Sequence, residues 1–119
     1  MGRTDQAISA SRTAIRKQPR ALEGYRNLFV IWLQNQKPQE ALSVLDEAGK
    51  VSSVGAEFLI GLAELYANFS LQIPAQSELA RTRGQAVLGR VGQDKITDPQ
   101  LRLRLADAYN LLGNDTEAA

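Results

Sequence analysis

The sequence predicts an all-α fold of about six helices, arranged as helix–turn–helix pairs lying side by side. Three observations predict it. Apolar residues recur at steps of three and four, the period of an amphipathic helix. The same apolar landmarks return after 34 residues. Proline, glycine and aspartate stand where helices would start and stop.

The first helix is read from QAISASRTAIRKQP, with Ala7, Ser11 and Ala14 on one face and Pro19 closing it. A second follows in GYRNLFVIWLQ, where Tyr25, Leu28, Phe29 and Trp32 make the apolar stripe. QKPQEALSVLDEA supplies the third, through Ala41, Leu45 and Ala48. Pro38 falls in its first turn, where a missing N–H costs nothing.

Thirty-four residues beyond the second helix, Leu59, Leu62, Ala63 and Tyr66 occupy the places of Tyr25, Leu28, Phe29 and Trp32. FLIGLAELYANF is therefore the fourth helix. Thirty-four residues before the third, Ala7, Ser11 and Ala14 take the places of Ala41, Leu45 and Ala48. A fifth helix is expected from about Ala75 to Val91, opened by Pro74 and closed by Gly92 and Asp94. Its Leu79, Ala80, Val87, Leu88 and Val91 would pack on Phe58, Leu62, Leu65 and Phe69 of the fourth.

The sixth helix begins at Asp98-Pro99, an N-cap followed by a residue suited to the first helical position. LRLRL, Leu101 to Leu105, alternates as a strand would, but ADAYNLLG continues it at helical spacing. Tyr109 lies 43 residues after Tyr66, nine more than the repeat, so the preceding unit carries an insertion. Asp115 to Ala119 reads as the start of one more helix. The resulting division is a half unit over 1–19, a unit over 20–53, a unit with a long insertion over 54–97 and an incomplete unit over 98–119. On this reading the chain is a slice of a longer array.

Composition narrows the chemistry. At 119 residues the chain makes one domain or one run of small repeats. Its 44% apolar and 23% charged residues are ordinary for a globular protein, and a net charge of +1 demands neither nucleic acid nor an anionic membrane. There is no cysteine and no histidine, which excludes a disulfide framework, a thiolate nucleophile, a Cys/His zinc site and a catalytic histidine within these residues. No apolar run approaches the roughly 20 residues that cross a bilayer. MGRTDQAISA lacks the apolar core of a secretory signal. The compartment, cytoplasmic or periplasmic, stays open.

The weaker motifs have plain readings. GRVGQDK, Gly89 to Lys95, lacks the spacing of a phosphate-wrapping loop, and helix termination explains its glycines. Asp94 and Asp98 offer too few oxygens for a cation. Asn68-Phe69-Ser70 and Asn114-Asp115-Thr116 fit a glycosylation sequon, a common triplet. Arg12, Arg16, Lys17, Arg20 and Arg26 form a basic run without the exposed aromatics of a nucleic-acid reader. It reads as a solvated face, or as a contact for a preceding helix. No nucleophile–base pair with an orienting group can be assembled, so catalysis is not expected.

These residues resemble the tetratricopeptide (TPR) repeat, a 34-residue helix–turn–helix unit with a W-x2-L-G-x2-Y…A-x3-F…A…P pattern. Phe29 stands in place of its glycine and Ser11 in place of an aromatic. The resemblance implies a solenoid, a right-handed superhelix whose concave groove is lined by the first helix of each pair. The groove residues it implies are Arg26, Asn27, Val30, Leu33 and Gln34 in one unit. The next would give Glu57, Ile60, Glu64, Ala67 and Asn68. The last would give Leu103, Arg104, Asp107, Asn110 and Leu111.

The implied function is a non-catalytic protein–protein interaction scaffold, without cofactor or metal, that takes a peptide or partner helix in the groove. Arg26 and Arg104 stand where a carboxylate clamp would have basic residues. Val30 and Gly61 occupy its asparagine places and Gln100 replaces its second lysine, so binding of a chaperone tail is not expected. The alternative is structural. Leu101, Leu105, Ala108 and Leu112 form a stripe that an absent helix would cover, inviting self-association into a homo-oligomer.

Overall fold

Pro38 and Pro99 each occupy the first residue of a helix, where the ring presets φ and the lost N–H has no intrahelical partner. The computed structural model describes residues 2–92 and 96–113, and among them it contains helices and turns but no strand. The chain divides into two units, residues 1–54 and 55–119.

The first unit holds α1 (Gly2–Lys17), α2 (Leu22–Gln34) and α3 (Pro38–Gly49), with α2 packed against both neighbours. Tyr25, Leu28, Phe29, Ala41, Leu45 and Ala48 are buried, so six of the repeat's landmarks enter this core. Fully burying each of the larger ones contributes about 1.5–3 kcal/mol. Ile15 of α1 is also buried, beside Gly24. A Cβ on Gly24 would lie 2.9 Å from Ile15 Cγ1 and 3.1 Å from its backbone nitrogen, so only glycine allows this approach of α1 to α2. Arg12 spans from α1 to α3, its Nη1 donating to both carboxylate oxygens of Glu47 at 2.9 and 2.8 Å.

The α2–α3 turn is a Schellman closure. Lys37 N–H donates to the Trp32 carbonyl at 2.9 Å and Gln36 N–H to the Leu33 carbonyl at 3.1 Å. This places Gln36 at φ 59°, the left-handed conformation that glycine usually takes.

The second unit holds α4 (Ala56–Gln72), a 3-10 turn (Pro74–Gln76), α5 (Ser77–Leu88) and α6 (Pro99–Leu111), with α5 and α6 both packed on α4. Helix α4 is buried on most sides, from Phe58 through Leu62 and Tyr66 to Phe69 and Ser70, as expected of a helix apolar nearly all round. The three helices meet at Gly84. A Cβ there would lie 2.7 and 2.9 Å from the Leu112 methyls and 3.1 Å from Tyr66 Cβ. Asp98 caps α6 as expected, its Oδ1 accepting from Gln100 N–H at 2.9 Å. At the other end Gln85 Nε2 donates to the Leu112 carbonyl at 2.8 Å, satisfying an orphan acceptor of the helix terminus.

The spacing of the sequence landmarks reappears in the helix starts. Helix α4 begins 34 residues after α2, and α6 begins 43 after α4. Trp32, Tyr66 and Tyr109 are each the eleventh residue of their helix. Their burial differs: Tyr66 is 2% exposed, whereas Trp32 and Tyr109 are half-buried.

Three expectations are corrected. The fifth helix does not run from Ala75 to Val91. It spans the 12 residues Ser77–Leu88, the same length as α3. The nine extra residues instead lengthen α4, form the 3-10 turn at Pro74 and extend the connection after Gly89. That connection is anchored by buried Val91 and Ile96, with Arg102 Nε donating to the Ile96 carbonyl at 2.7 Å. The stripe assigned to self-association is covered: Leu105, Ala108 and Leu112 are buried and Leu101 is half-buried. Helix α6 turns this stripe onto α4 and α5 because those helices offer the apolar surface at hand. Ala14, placed among the core landmarks, is exposed. The further helix expected from Asp115 lies outside the described residues.

Candidate functional site

In the first unit, Arg26, Asn27, Val30 and Gln34 of α2 are exposed and Leu33 is half-buried. Steps of three, four and seven put Arg26, Val30, Leu33 and Gln34 on one flank of the helix, opposite the buried Leu28 and Tyr25. Val30 is an aliphatic side chain 40% exposed among polar neighbours.

Beside it, where α1 ends and α2 begins, is an open cleft of about 300 Å³. Its floor is small: Ala14, Ala21 and Gly24. Lys17, Gln18, Glu23 and Asn27 form its polar rim. Of these only Asn27 was expected from the sequence as a groove residue. The signal for the rest is AIRKQPRALEGY, where three small residues and three cations fall close on either side of Pro19. The basic run itself divides. Arg12 is held by Glu47, Arg16 Nη2 donates to Thr13 Oγ1 at 3.2 Å, and Lys17, Arg20 and Arg26 are exposed.

The Arg12–Glu47 pair also acts on Tyr25. Burial pushes the Tyr25 phenol above the ordinary tyrosine range, and the Glu47 carboxylate pushes it further. The Arg12 guanidinium partly offsets both.

In the second unit the expected residues behave in three ways. Glu57 and Asn68 of α4, and Leu103, Asp107, Asn110 and Leu111 of α6, are exposed. Leu103 and Leu111, 63% and 52% exposed, flank Asp107 at successive steps of four. Glu64 and Arg104 are brought together: Arg104 Nη2 donates to Glu64 Oε1 at 2.7 Å and its Nε to Oε2 at 3.1 Å. That hydrogen bonding, with Glu57 adding to it, raises the guanidinium above its ordinary value despite partial burial. Ile60 is enclosed, with no exposed surface, and Ala67 is 1% exposed. Both therefore belong to the core, while Glu57 and Asn68 near the two ends of the same helix stay exposed.

Arg104 is thus no free anchor for a ligand carboxylate. Its two-point geometry, the strongest arrangement for a guanidinium, is filled from within the fold. Among the described residues every buried side-chain nitrogen or oxygen has a partner; Ser70 Oγ, for example, donates to the Ala67 carbonyl at 2.7 Å. No three carboxylates gather among the described residues in a way that would hold a metal ion. A second, shallower depression of about 450 Å³ lies along α5 over Ala75, Leu79 and Thr82, and it contains none of the expected residues.

No family model, curated protein or solved structure matches the chain. No helix among the described residues is long and apolar enough to cross a membrane.

Proposed function

We propose that this chain is a non-catalytic protein-interaction module of TPR-like units, which binds a peptide or helix of a partner protein on the outward flank of α2. The observation that carries this reading is the exposed set Arg26, Asn27, Val30 and Gln34. It combines a cation, amide donors and acceptors, and a solvent-facing aliphatic group on one helical flank. The 34-residue register of α2 and α4 supports the repeat part of the reading.

A selection from a displayed peptide library tests it. Peptides retained by the protein should be lost on Arg26→Glu/Val30→Asp, a pair of exposed positions whose change leaves the helical circular dichroism intact. Peptides retained equally by both forms would refute the α2 site.

The second reading, self-association, is favoured by Leu103 and Leu111 of α6, which present apolar surface to solvent. Sedimentation of Leu103→Gln/Leu111→Gln beside the wild type separates the two. A wild-type dimer that becomes monomeric would favour this reading.

A further inference from the structure

The cleft between the end of α1 and the start of α2 carries more than a general surface. We propose that it binds an acidic amphipathic helix of a partner protein, with an aliphatic side chain seated on the Ala14–Gly24 floor and carboxylates against Lys17 and Arg20. This deepens the peptide-binding reading and rests on it.

Size argues first. About 300 Å³ is at the lower limit for a ligand cleft and suits one or two aliphatic side chains. The floor is alanine and glycine, and Gly24 is fixed by its contact with Ile15, so the opening is a consequence of how α1 meets α2.

Charge argues second. Residues 12–26 hold five cations and one acid, Glu23. Arg12 is taken by Glu47, which leaves Lys17 on the rim and the exposed Arg20, in the turn between the lining residues Gln18 and Ala21, with Glu23 alone against them. Glu23 sits in the first turn of α2, where the helix dipole favours an acid in any protein. Arg16 and Lys17 likewise suit the last turn of α1, but Arg20 lies beyond it and has no such local reason. A partner bearing carboxylates answers the surplus.

Nucleic acid fits less well. The floor has no aromatic face on which a base could stack, and Tyr25 is only 3% exposed.

Fluorescence anisotropy with three labelled probes tests the proposal: an amphipathic helical peptide with leucine on one face and glutamate on the other, the same peptide with glutamine for glutamate, and a single-stranded oligothymidylate. The glutamate peptide should bind about tenfold tighter than the glutamine peptide, the size of one charge-assisted hydrogen bond. The advantage should shrink as salt rises. Lys17→Glu/Arg20→Glu should abolish it, and Ala14→Leu, which fills the cleft from an exposed position, should weaken both peptides. Circular dichroism confirms that each variant is folded. Equal binding of the two peptides would overturn the acidic-partner inference and leave peptide binding standing. Binding of neither peptide would overturn both. Preference for the oligothymidylate, or a glutamate advantage indifferent to the charge reversal, would overturn the inference as well.

Discussion

Arg104 of α6 and Glu64 of α4 form a two-point ion pair, with Nη2 2.7 Å from Oε1 and Nε 3.1 Å from Oε2. The pair joins two residues that are 40 apart in sequence, and it engages one of the two arginines, Arg26 and Arg104, that the sequence marks as candidates for a ligand carboxylate. Both side chains are about one-third exposed, so water screens much of the attraction. A double-mutant cycle with Arg104→Ala and Glu64→Ala should give a coupling of about 0.5–1 kcal/mol in urea denaturation. Arg104→Lys should keep only part of it, since an ammonium cannot reproduce the fork. A coupling of zero would show that the geometry adds nothing to stability.

Gly84 sets a different kind of constraint. In an exposed helix interior, Gly→Ala stabilises by about 0.5–1 kcal/mol. Here the new methyl meets Leu112 at 2.7 Å and Tyr66 Cβ at 3.1 Å, both buried. Overpacking of about 1–3 kcal/mol should outweigh propensity, so Gly84→Ala lowers the melting temperature. In a Leu112→Ala background the same substitution should raise it, because the methyl then enters vacated space. The sign reversal is the diagnostic result.

Gln36 lies at φ 59° and closes α2 through Lys37 N–H and the Trp32 carbonyl. Glycine takes this conformation without a Cβ penalty. Gln36→Gly should therefore stabilise by roughly 0.5–1 kcal/mol, somewhat offset by the freer unfolded chain. Gln36→Val should destabilise. Chemical denaturation of both variants, with unchanged slopes, is the measurement.

Tyr25 links the first unit's stability to alkaline pH. Its folded pKa is raised by burial and by Glu47. The unfolded chain therefore loses the phenolic proton first, and stability falls as pH climbs from about 10 through the raised folded value. Below the unfolded pKa the contribution is fully present. Tyr25→Phe should remove this tyrosine's share of the alkaline loss, and Arg12→Ala should move the Tyr25 absorbance titration to still higher pH. A downward shift in Arg12→Ala would contradict the arrangement.

Helix existence was legible among the described residues, because the cue is local. Tyr25, Leu28 and Phe29 fall on one side of any helix that contains them, whatever surrounds it, and Asp98-Pro99 caps and starts α6 without help from afar. The exposed flank of α2 was legible for the same reason: Arg26, Val30 and Gln34 lie away from that stripe. The limits of α5 were less so. Pro74 marks a start, but whether the chain enters a 3-10 turn or an α-helix there depends on the packing of the residues that follow.

By itself, then, the sequence determined the kind and approximate places of the helices among the described residues, the 34-residue spacing between the starts of α2 and α4, and the absence of histidine and cysteine. Only the tertiary structure decided which charged groups are spoken for and which small residues border open space. Glu64 and Arg104 meet because α6 lies on α4; Ala14 faces a cleft because Gly24 lets α2 approach Ile15. Periodicity fixes which side of its own helix a residue occupies. What stands opposite that side depends on contacts between residues distant in sequence, and a repeat of short-range spacings does not encode them.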